Sequence, residues 1–168
     1  NGGGTQYYKA DGTSATTWNI AAATTLYAKW TAKQYTVTLD DQSATTAGQG
    51  SVTATYDAAM TKLSTLPAKT GYTFGGYYSE INGGGTQYYK ADGTSATTWN
   101  IAAATTLYAK WTAKQYTVTL DDQSATTAGQ GSVTATYDAA MTKLSTLPAK
   151  TGYTFGGYYS EINGGGTQ

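Results

Sequence analysis

Four strand-like stretches in the chain stand out because apolar residues recur at alternate positions, with threonine between many of them, which is the pattern of β-strands with one buried face. The four predicted strands cover residues 34–40, 51–56, 72–78 and 105–111. The predicted inward faces are those of Tyr35, Val37 and Leu39; of Val52, Ala54 and Tyr56; and of Leu107, Ala109 and Trp111. The pattern therefore predicts a sheet with one apolar face and one polar face that is rich in threonine.

The segment between the second and third strands has the spacing of a short helix. Asp57 is a good N-cap residue, and Met60 and Leu63 stand three positions apart on one helical face. Pro67 and Gly71 then bracket a turn that ends the helix. We therefore predict an α+β, β-rich fold of tandem small β-grasp-like modules, each a mixed sheet over one short helix.

Two further segments complete the predicted module. Residues 82–85 have the sequence Asn-Gly-Gly-Gly, which is typical of a hairpin tip. Residues 94–104 contain Trp99 and Ile101 and fit either a short strand or a helical turn that fills the core. The sequence leaves these two alternatives open.

The chain is an exact sequence repeat. Residues 1–81 recur unchanged as residues 82–162, and residues 163–168 begin a third copy. A period of 81 is longer than the roughly 20–50 residues of solenoid repeats, which cannot bury a core alone. The array therefore resembles a string of small domains whose reach and multivalency grow with copy number.

The strand pattern places the domain boundaries away from the ends of the chain. Residues 33–113 would form one complete module, residues 1–32 the C-terminal part of another, and residues 114–168 the N-terminal part of the next. Neighbouring identical repeats are thus the expected partners. The two partial modules together hold every element of one module, so they could complete each other head to tail between chains, or they could be parts of a longer array.

Composition excludes several classes of function. The chain has 10 lysines and no arginine, 10 carboxylates, no histidine and no cysteine, and its net charge is zero. A neutral chain without a basic patch has no electrostatic basis for binding nucleic acid. No apolar run reaches the ~20 residues that cross a bilayer, so we expect no membrane insertion. The usual general base, thiolate and metal ligands are missing, and we predict no enzyme activity and no catalytic, cofactor-binding or metal site.

Carboxylates offer two candidate sites, and we favour a structural interpretation of both. Asp40 and Asp41, with Glu80 and Asn82, could supply oxygens to calcium, but two adjacent aspartates before a neutral loop are typical of a strand-ending turn. Glycosidases need two acids that face each other across a sugar. The acids of this chain lie mostly in predicted turns, which does not indicate such a pair.

Tyrosine is abundant, with 16 residues that include two doublets in each period. Neighbours in a strand point to opposite faces, so one tyrosine of each doublet should be buried and the other exposed. The exposed rings could stack on a glycan or on a host or environmental protein, although cross-strand pairing is the simpler interpretation. The candidate ligand-contact residues are Tyr77, Tyr78, Tyr88 and Tyr89.

Two covalent modifications are compatible with the residue types. Lys110 could form an isopeptide bond with Asp40 or Asp121, but a surface lysine whose stem packs on aromatic rings is the simpler interpretation. The outward threonines permit O-glycosylation, whereas the chain has no Asn-x-Ser/Thr sequon.

Three segments together resemble the Listeria–Bacteroides repeat, the module class of the internalin B-repeats. They are residues 35–41 (YTVTLDD), 71–78 (GYTFGGYY) and 106–111 (TLYAKW). Tyr77 departs from the family, which often has tryptophan there, and this change should alter packing. The resemblance implies a β-grasp-like extracellular module between a ligand-binding head and the bacterial cell envelope, and it implies no catalytic residues.

These observations favour a structural spacer or stalk repeat of a bacterial cell-surface protein of adhesin type. The alternative is a weak, multivalent module that binds a glycan or a protein. A spacer should show repeats in line with short, stiff linkers. A binding module should instead present the tyrosines of successive copies on one side.

Overall fold

The strands in the computed structural model, which describes residues 3–165, follow the threonine-rich segments of the sequence. They are β1 (Gln34–Asp40), β2 (Ser51–Thr55), β3 (Tyr72–Tyr78), β4 (Gln87–Tyr89), β5 (Thr105–Ala113), β6 (Gln115–Thr119) and β7 (Ser132–Thr136). The chain divides into two compact units, Asn1–Lys33 and Gln34–Gln168, and these strands lie in the second. The expected partial modules extend at both ends into positions 1–2 and 166–168, which lie outside the described residues.

The first five strands form one mixed sheet in the order β2-β1-β5-β3-β4. β5 is central: it pairs in parallel with β1, where Leu39 lies opposite Leu107, and antiparallel with β3, where Tyr77 lies opposite Ala109. We call residues 34–113 the five-stranded unit. The four strands predicted from alternation are confirmed, and the sheet is mixed as expected.

The core lies where the inward faces of the strands meet. Its largest fully buried side chains are Trp99, Tyr77, Tyr89, Leu107 and Val37. Partly buried rings and aliphatic groups pack around them, among them Phe74 and Trp111. The alternation correctly assigned Val37 and Leu107 to the interior because successive strand residues point to opposite faces.

The predicted helix is wrong, since residues 3–165 contain strands and two short 3-10 turns but no α-helix. Asp57 has a positive φ of 62° instead of capping a helix, and its backbone N–H donates to the carbonyl of Trp99 at 2.7 Å. Leu63 donates its N–H to Gly93 at 3.0 Å. Met60 and Leu63 are buried as expected, but on an irregular segment whose backbone groups have distant partners.

Residues 94–104, for which the sequence left two alternatives, form neither a strand nor a helical turn but an irregular arm that places Trp99 in the core. The Trp99 N–H donates to the carbonyl of Ala58 at 2.8 Å, and Ser95 forms an isolated bridge with Tyr89. These bonds hold the Trp99 indole inside the core. The arm is thus bonded to the segment after β2, where a helix was expected.

Residues 115–159 repeat the sequence of residues 34–78 but keep only part of its structure. β6 and β7 pair in the register of β1 and β2, with Tyr116 opposite Ala135 as Tyr35 is opposite Ala54. Residues 153–159, which repeat the sequence of β3, form no strand. In the five-stranded unit β3 pairs only with β4 and β5, and both of these strands lie later in the period. The β6–β7 hairpin forms between strands that are close in the sequence. Residues 153–159, which repeat β3, need partner strands that lie further along the repeat.

Residues 3–33 form the same local turns as residues 84–114, which repeat their sequence. Tyr8 bridges Ser14 as Tyr89 bridges Ser95. The rings of Tyr7 and Trp18 lie 5.0 Å apart, which equals the spacing of Tyr88 and Trp99. These short-range contacts therefore do not depend on the sheet.

Candidate functional site

Three of the four tyrosines considered as ligand contacts belong to the core. Tyr77, Tyr88 and Tyr89 are buried, and Tyr78 is half-buried. The expectation that one ring of each doublet is exposed holds in part for the first pair and is wrong for Tyr88 and Tyr89. Their burial removes three rings from any surface patch that could stack on a glycan.

Other segments of the chain cover both Tyr88 and Tyr89. The Tyr89 ring packs edge to face against Tyr77, and its hydroxyl donates to the Thr61 carbonyl at 2.9 Å. The Tyr88 ring packs on Trp99, and its hydroxyl donates to Asn100 Oδ1 at 2.5 Å. Alternation alone could not reveal this, because the arm that covers Tyr88 comes later in the chain.

Asp41 connects three parts of the five-stranded unit. Its Oδ1 accepts a hydrogen bond from the Tyr77 hydroxyl, and its Oδ2 accepts one from the Gly48 N–H at 2.8 Å. Its backbone carbonyl accepts a bond from Trp111 Nε1 at 2.9 Å. Bonds to a charged carboxylate are stronger than neutral ones, so Asp41 fixes the loop after β1 against β3 and β5.

The buried phenols should make the five-stranded unit sensitive to alkali. Burial raises the pKa of Tyr89 to about 12, and burial together with the bond to Asp41 raises the pKa of Tyr77 well above its usual value. An unfolded tyrosine has a pKa of about 10, so the folded state holds these protons more tightly. The free energy of unfolding should be constant with respect to these groups below pH ~10 and fall as the pH rises above it.

Urea unfolding followed by circular dichroism at several pH values between about 8 and 12 would measure this loss. Tyrosinate absorbance, recorded on the same samples, should show a fraction of the rings that ionises only with unfolding. Full ionisation near pH 10 with unchanged stability would contradict the prediction.

The carboxylates considered for calcium bond within their own turns or to nearby segments. Asp40 Oδ1 accepts from the Gln42 N–H at 2.9 Å, and both oxygens of Asp41 have the partners described above. Asn82 occupies a 3-10 turn with a positive φ of 58°. Within residues 3–165, no three acidic side chains come close enough to hold a metal ion. No helix in this part of the chain is long and apolar enough to cross a membrane.

Lys110 packs its stem over two glycines. Its methylene groups lie next to Gly75 and Gly83, and its ammonium nitrogen is 5.5 Å from the centre of the Tyr78 ring. In β5, Lys110 lies two residues after Tyr108, which is the last residue that pairs with β1 and lies opposite Asp40. These contacts are those of a stem packed on an aromatic surface, which is the interpretation that the sequence favoured over an isopeptide bond.

A cluster of contacts joins the five-stranded unit to the β6–β7 hairpin. A single residue, Lys114, separates β5 from β6. Its N–H donates to the carbonyl of Gly71 at 2.8 Å, and its carbonyl accepts from the N–H of Tyr137 at 2.9 Å. Tyr72 packs edge to face on Tyr137 with 5.6 Å between ring centres. Its hydroxyl donates to Asp138 Oδ2 at 3.1 Å. We call these five residues the junction cluster.

Gly71 lets the two segments of the junction cluster approach closely. Its φ is +77°, which side chains rarely adopt, and a methyl group at this position would overlap the Tyr137 ring. Any other residue would therefore push the hairpin away from the sheet. The approach at Gly71 also orients the Tyr137 ring toward Tyr72.

Sequence reasoning missed the junction cluster because it assigned Tyr56 to the interior of its own module. Tyr56 is exposed, and the same position in the next copy is Tyr137, which contacts the preceding repeat. The available signal was the position of this tyrosine one residue beyond the end of β2. A side chain there lies at the rim of the sheet, where a neighbouring repeat can contact it while the ring stays largely exposed.

Comparisons with known proteins identify the family of the sequence repeat. The model of the Listeria-Bacteroides repeat domain matches residues 35–110 and 116–168. Internalin H from Listeria monocytogenes serovar 1/2a is 34% identical over 106 residues, which are 63% of this chain and 17% of that protein. A putative membrane protein from Evansella cellulosilytica is 32% identical over 145 residues, which are 82% of this chain and 19% of that protein. No solved structure matches the chain.

The fold and the junction cluster define a class of protein, a β-rich chain built from sequence repeats. Within that class, the chain belongs to the Listeria-Bacteroides repeat family, because the family model covers most of its length in two consecutive matches. The resemblance found in the sequence is thereby confirmed. The chain spans less than a fifth of the length of either relative.

Proposed function

We propose that this chain is a spacer segment of an extracellular bacterial surface protein, in which the repeats hold a binding head away from the cell envelope. The observation that carries the proposal is the junction cluster. A one-residue linker, two backbone hydrogen bonds and a ring pair join consecutive repeats. Such a joint opposes bending, and stiffness is what a spacer needs and a catalyst does not.

The repeats of this spacer would be tandem modules with the boundaries expected from the sequence, residues 1–32, 33–113 and 114–168. Each complete module would be β-grasp-like in its parallel central pair, with an irregular segment between β2 and β3. Membership of the Listeria-Bacteroides repeat family and the similarity to Internalin H support a surface location. The burial of Tyr77, Tyr88 and Tyr89 favours a spacer over a module that binds glycans through these rings.

The junction cluster can be tested with a matched pair of variants. Tyr137→Ala removes the ring that packs on Tyr72 but leaves the conformation of Gly71 unchanged. Tyr56→Ala removes the same side chain at the equivalent position, where exposure is 41% compared with 40% for Tyr137. We expect Tyr137→Ala to cost the hairpin region about 0.5–1.5 kcal/mol, because an aromatic pair is lost. Tyr56→Ala should leave the junction intact.

Small-angle X-ray scattering measures the consequence for shape. The distance distribution of Tyr137→Ala should broaden, and that of Tyr56→Ala should match the unmodified chain. In arrays lengthened by whole 81-residue periods, the maximum dimension should grow by a constant increment per period. Arrays that become more compact as copies are added would contradict the spacer role.

A further inference from the structure

Two of the ring contacts within residues 3–165 join one tyrosine to another. Tyr77 packs on Tyr89 with 6.3 Å between ring centres, and both side chains are fully buried in the core. Tyr72 packs on Tyr137 at 5.6 Å in the junction cluster, where Tyr72 is half-buried and Tyr137 is 40% exposed. The second pair is therefore the closer of the two and the one that a reagent in solution can reach.

Backbone hydrogen bonds hold the Tyr72 and Tyr137 rings together. The carbonyl of Gly71, the residue before Tyr72, accepts the Lys114 N–H at 2.8 Å, and the Lys114 carbonyl accepts the Tyr137 N–H at 2.9 Å. The backbone of Gly71 also lies directly against the Tyr137 ring. The two rings thus meet in a fixed arrangement, which raises their effective concentration for a reaction with each other.

Tyr137 keeps the exposure that the same position has in the five-stranded unit. The equivalent residue there is Tyr56, which is 41% exposed. The next residue has a positive φ in both places, 62° at Asp57 and 59° at Asp138. A tyrosine at this position is therefore accessible to solvent within a complete sheet as well.

Asp138 gives the Tyr72 phenol a partner that can take its proton. The Tyr72 hydroxyl donates to Asp138 Oδ2 at 3.1 Å. Loss of water around the phenol, together with its bond to this carboxylate, raises the pKa of Tyr72, so the phenol is protonated near neutral pH. A phenol loses an electron more readily when its proton leaves at the same time, because no radical cation is formed. The carboxylate is therefore placed to assist one-electron oxidation of Tyr72.

We propose that Tyr72 and Tyr137 form an oxidative cross-linking site, at which a dityrosine bond joins two consecutive repeats. A one-electron oxidant, such as a haem peroxidase with hydrogen peroxide, removes one electron and one proton from each phenol. The two radicals couple through the ring carbons next to their hydroxyl-bearing carbons. The hydrogen on each coupled carbon then moves to the oxygen and restores the phenol. One peroxide takes up both electrons and both protons and becomes two waters.

The cross-link replaces a reversible ring contact with a covalent bond. Hydrogen exchange in the β6–β7 hairpin should become slower, because the hairpin can no longer separate from β3. The exact period of 81 gives every boundary between consecutive repeats the same two tyrosines, so an array would acquire one cross-link per boundary. The site follows from the contact itself and does not depend on the spacer role.

Treatment of the dilute chain with a haem peroxidase and limiting hydrogen peroxide tests the proposal. Intact-mass spectrometry should show a monomer that lacks two hydrogen atoms, and this product should have the fluorescence of dityrosine. Trypsin should release residues 70–90 joined to residues 115–143. Fragment ions of this joined pair should place the bond between Tyr72 and Tyr137.

Matched variants separate this site from general oxidation of tyrosine. Tyr72→Phe and Tyr137→Phe keep the packed ring and remove the phenol, so each should lower the intramolecular product at least about tenfold. Tyr56→Phe and Tyr153→Phe make the same changes at the equivalent positions, where neither ring belongs to an aromatic pair within residues 3–165. Tyr153 is 74% exposed, so exposure alone would favour its oxidation. Both control variants should give as much product as the unmodified chain.

Asp138→Asn tests the proton acceptor. Asparagine tolerates the positive φ of this position, so the backbone is kept while the charge is removed. The same product should form at a rate lower by about tenfold or more, and an unchanged rate would overturn the role of Asp138. Cross-links that map to other tyrosines, products that are only intermolecular, or full yield from Tyr72→Phe or Tyr137→Phe would overturn the site itself.

Discussion

Trp99→Ala is expected to unfold the five-stranded unit or to leave it barely folded. The indole is fully buried, packs on the Tyr88 ring and is held by backbone bonds of the irregular arm. Replacing a buried tryptophan with alanine costs about 3–5 kcal/mol. That loss is a large part of the roughly 5–15 kcal/mol by which small domains are stable. Urea unfolding followed by circular dichroism would measure the change.

The repeat supplies a matched control for this change. Trp18→Ala alters the same residue in the same local sequence, but Trp18 is half-exposed. We expect Trp18→Ala to change the unfolding free energy of the five-stranded unit by less than about 0.5 kcal/mol. Trp99→Phe should preserve most of the stability, because Trp99 Nε1 has no hydrogen-bond partner within residues 3–165. Equal effects of Trp99→Ala and Trp18→Ala would refute this account of the core.

Gly76→Ala is expected to destabilise the same unit by about 2–4 kcal/mol. Gly76 has a φ of +108°, at the point where the pairing of β3 with β5 shifts register between Phe74 and Tyr77. A methyl group there would overlap the carbonyl oxygen of Tyr89 on the neighbouring strand. Alanine must therefore either strain the backbone or separate β3 from β4.

The control for Gly76→Ala is Gly50→Ala. A methyl group at Gly50 would meet open space, and the φ of Gly50 lies outside the positive range that excludes side chains. The substitution should leave stability unchanged or raise it by up to about 1 kcal/mol, because it restricts the unfolded chain. Chemical denaturation of both variants gives the comparison. A Gly76→Ala variant as stable as Gly50→Ala would show that the bulge tolerates a side chain.

Much of the sheet could be predicted because its strands carry a local signal. Alternation located β1, β2, β3 and β5, and it placed Val37 and Leu107 in the core. The helix was mispredicted from signals that are equally local, namely an N-cap residue and two apolar side chains at i and i+3. Those signals could not show that the backbone near Asp57 bonds to Trp99, a partner more than 40 positions away.

The candidate contacts were harder to predict than the strands. The sequence marked the tyrosine doublets as notable, but it could not show that a later arm covers Tyr88. The junction cluster escaped prediction for a related reason. Tyr137 contacts Tyr72 of the preceding repeat, whereas within one period the same tyrosine fits an inward strand position equally well. The assignment of a residue to a core or to a junction depends on what packs beside it.

The two copies separate what the sequence alone determined from what the tertiary structure decided. The β1–β2 and β6–β7 hairpins form in the same register, and the Tyr7–Trp18 and Tyr88–Trp99 ring pairs have the same spacing. Contacts between residues that are near in the chain have a low entropy cost of closure, so local sequence suffices for them. The strand at residues 72–78 and the burial of Trp99 occur in one copy only. Both require β5 in the centre of the sheet, and only the folded arrangement of a whole period brings it there.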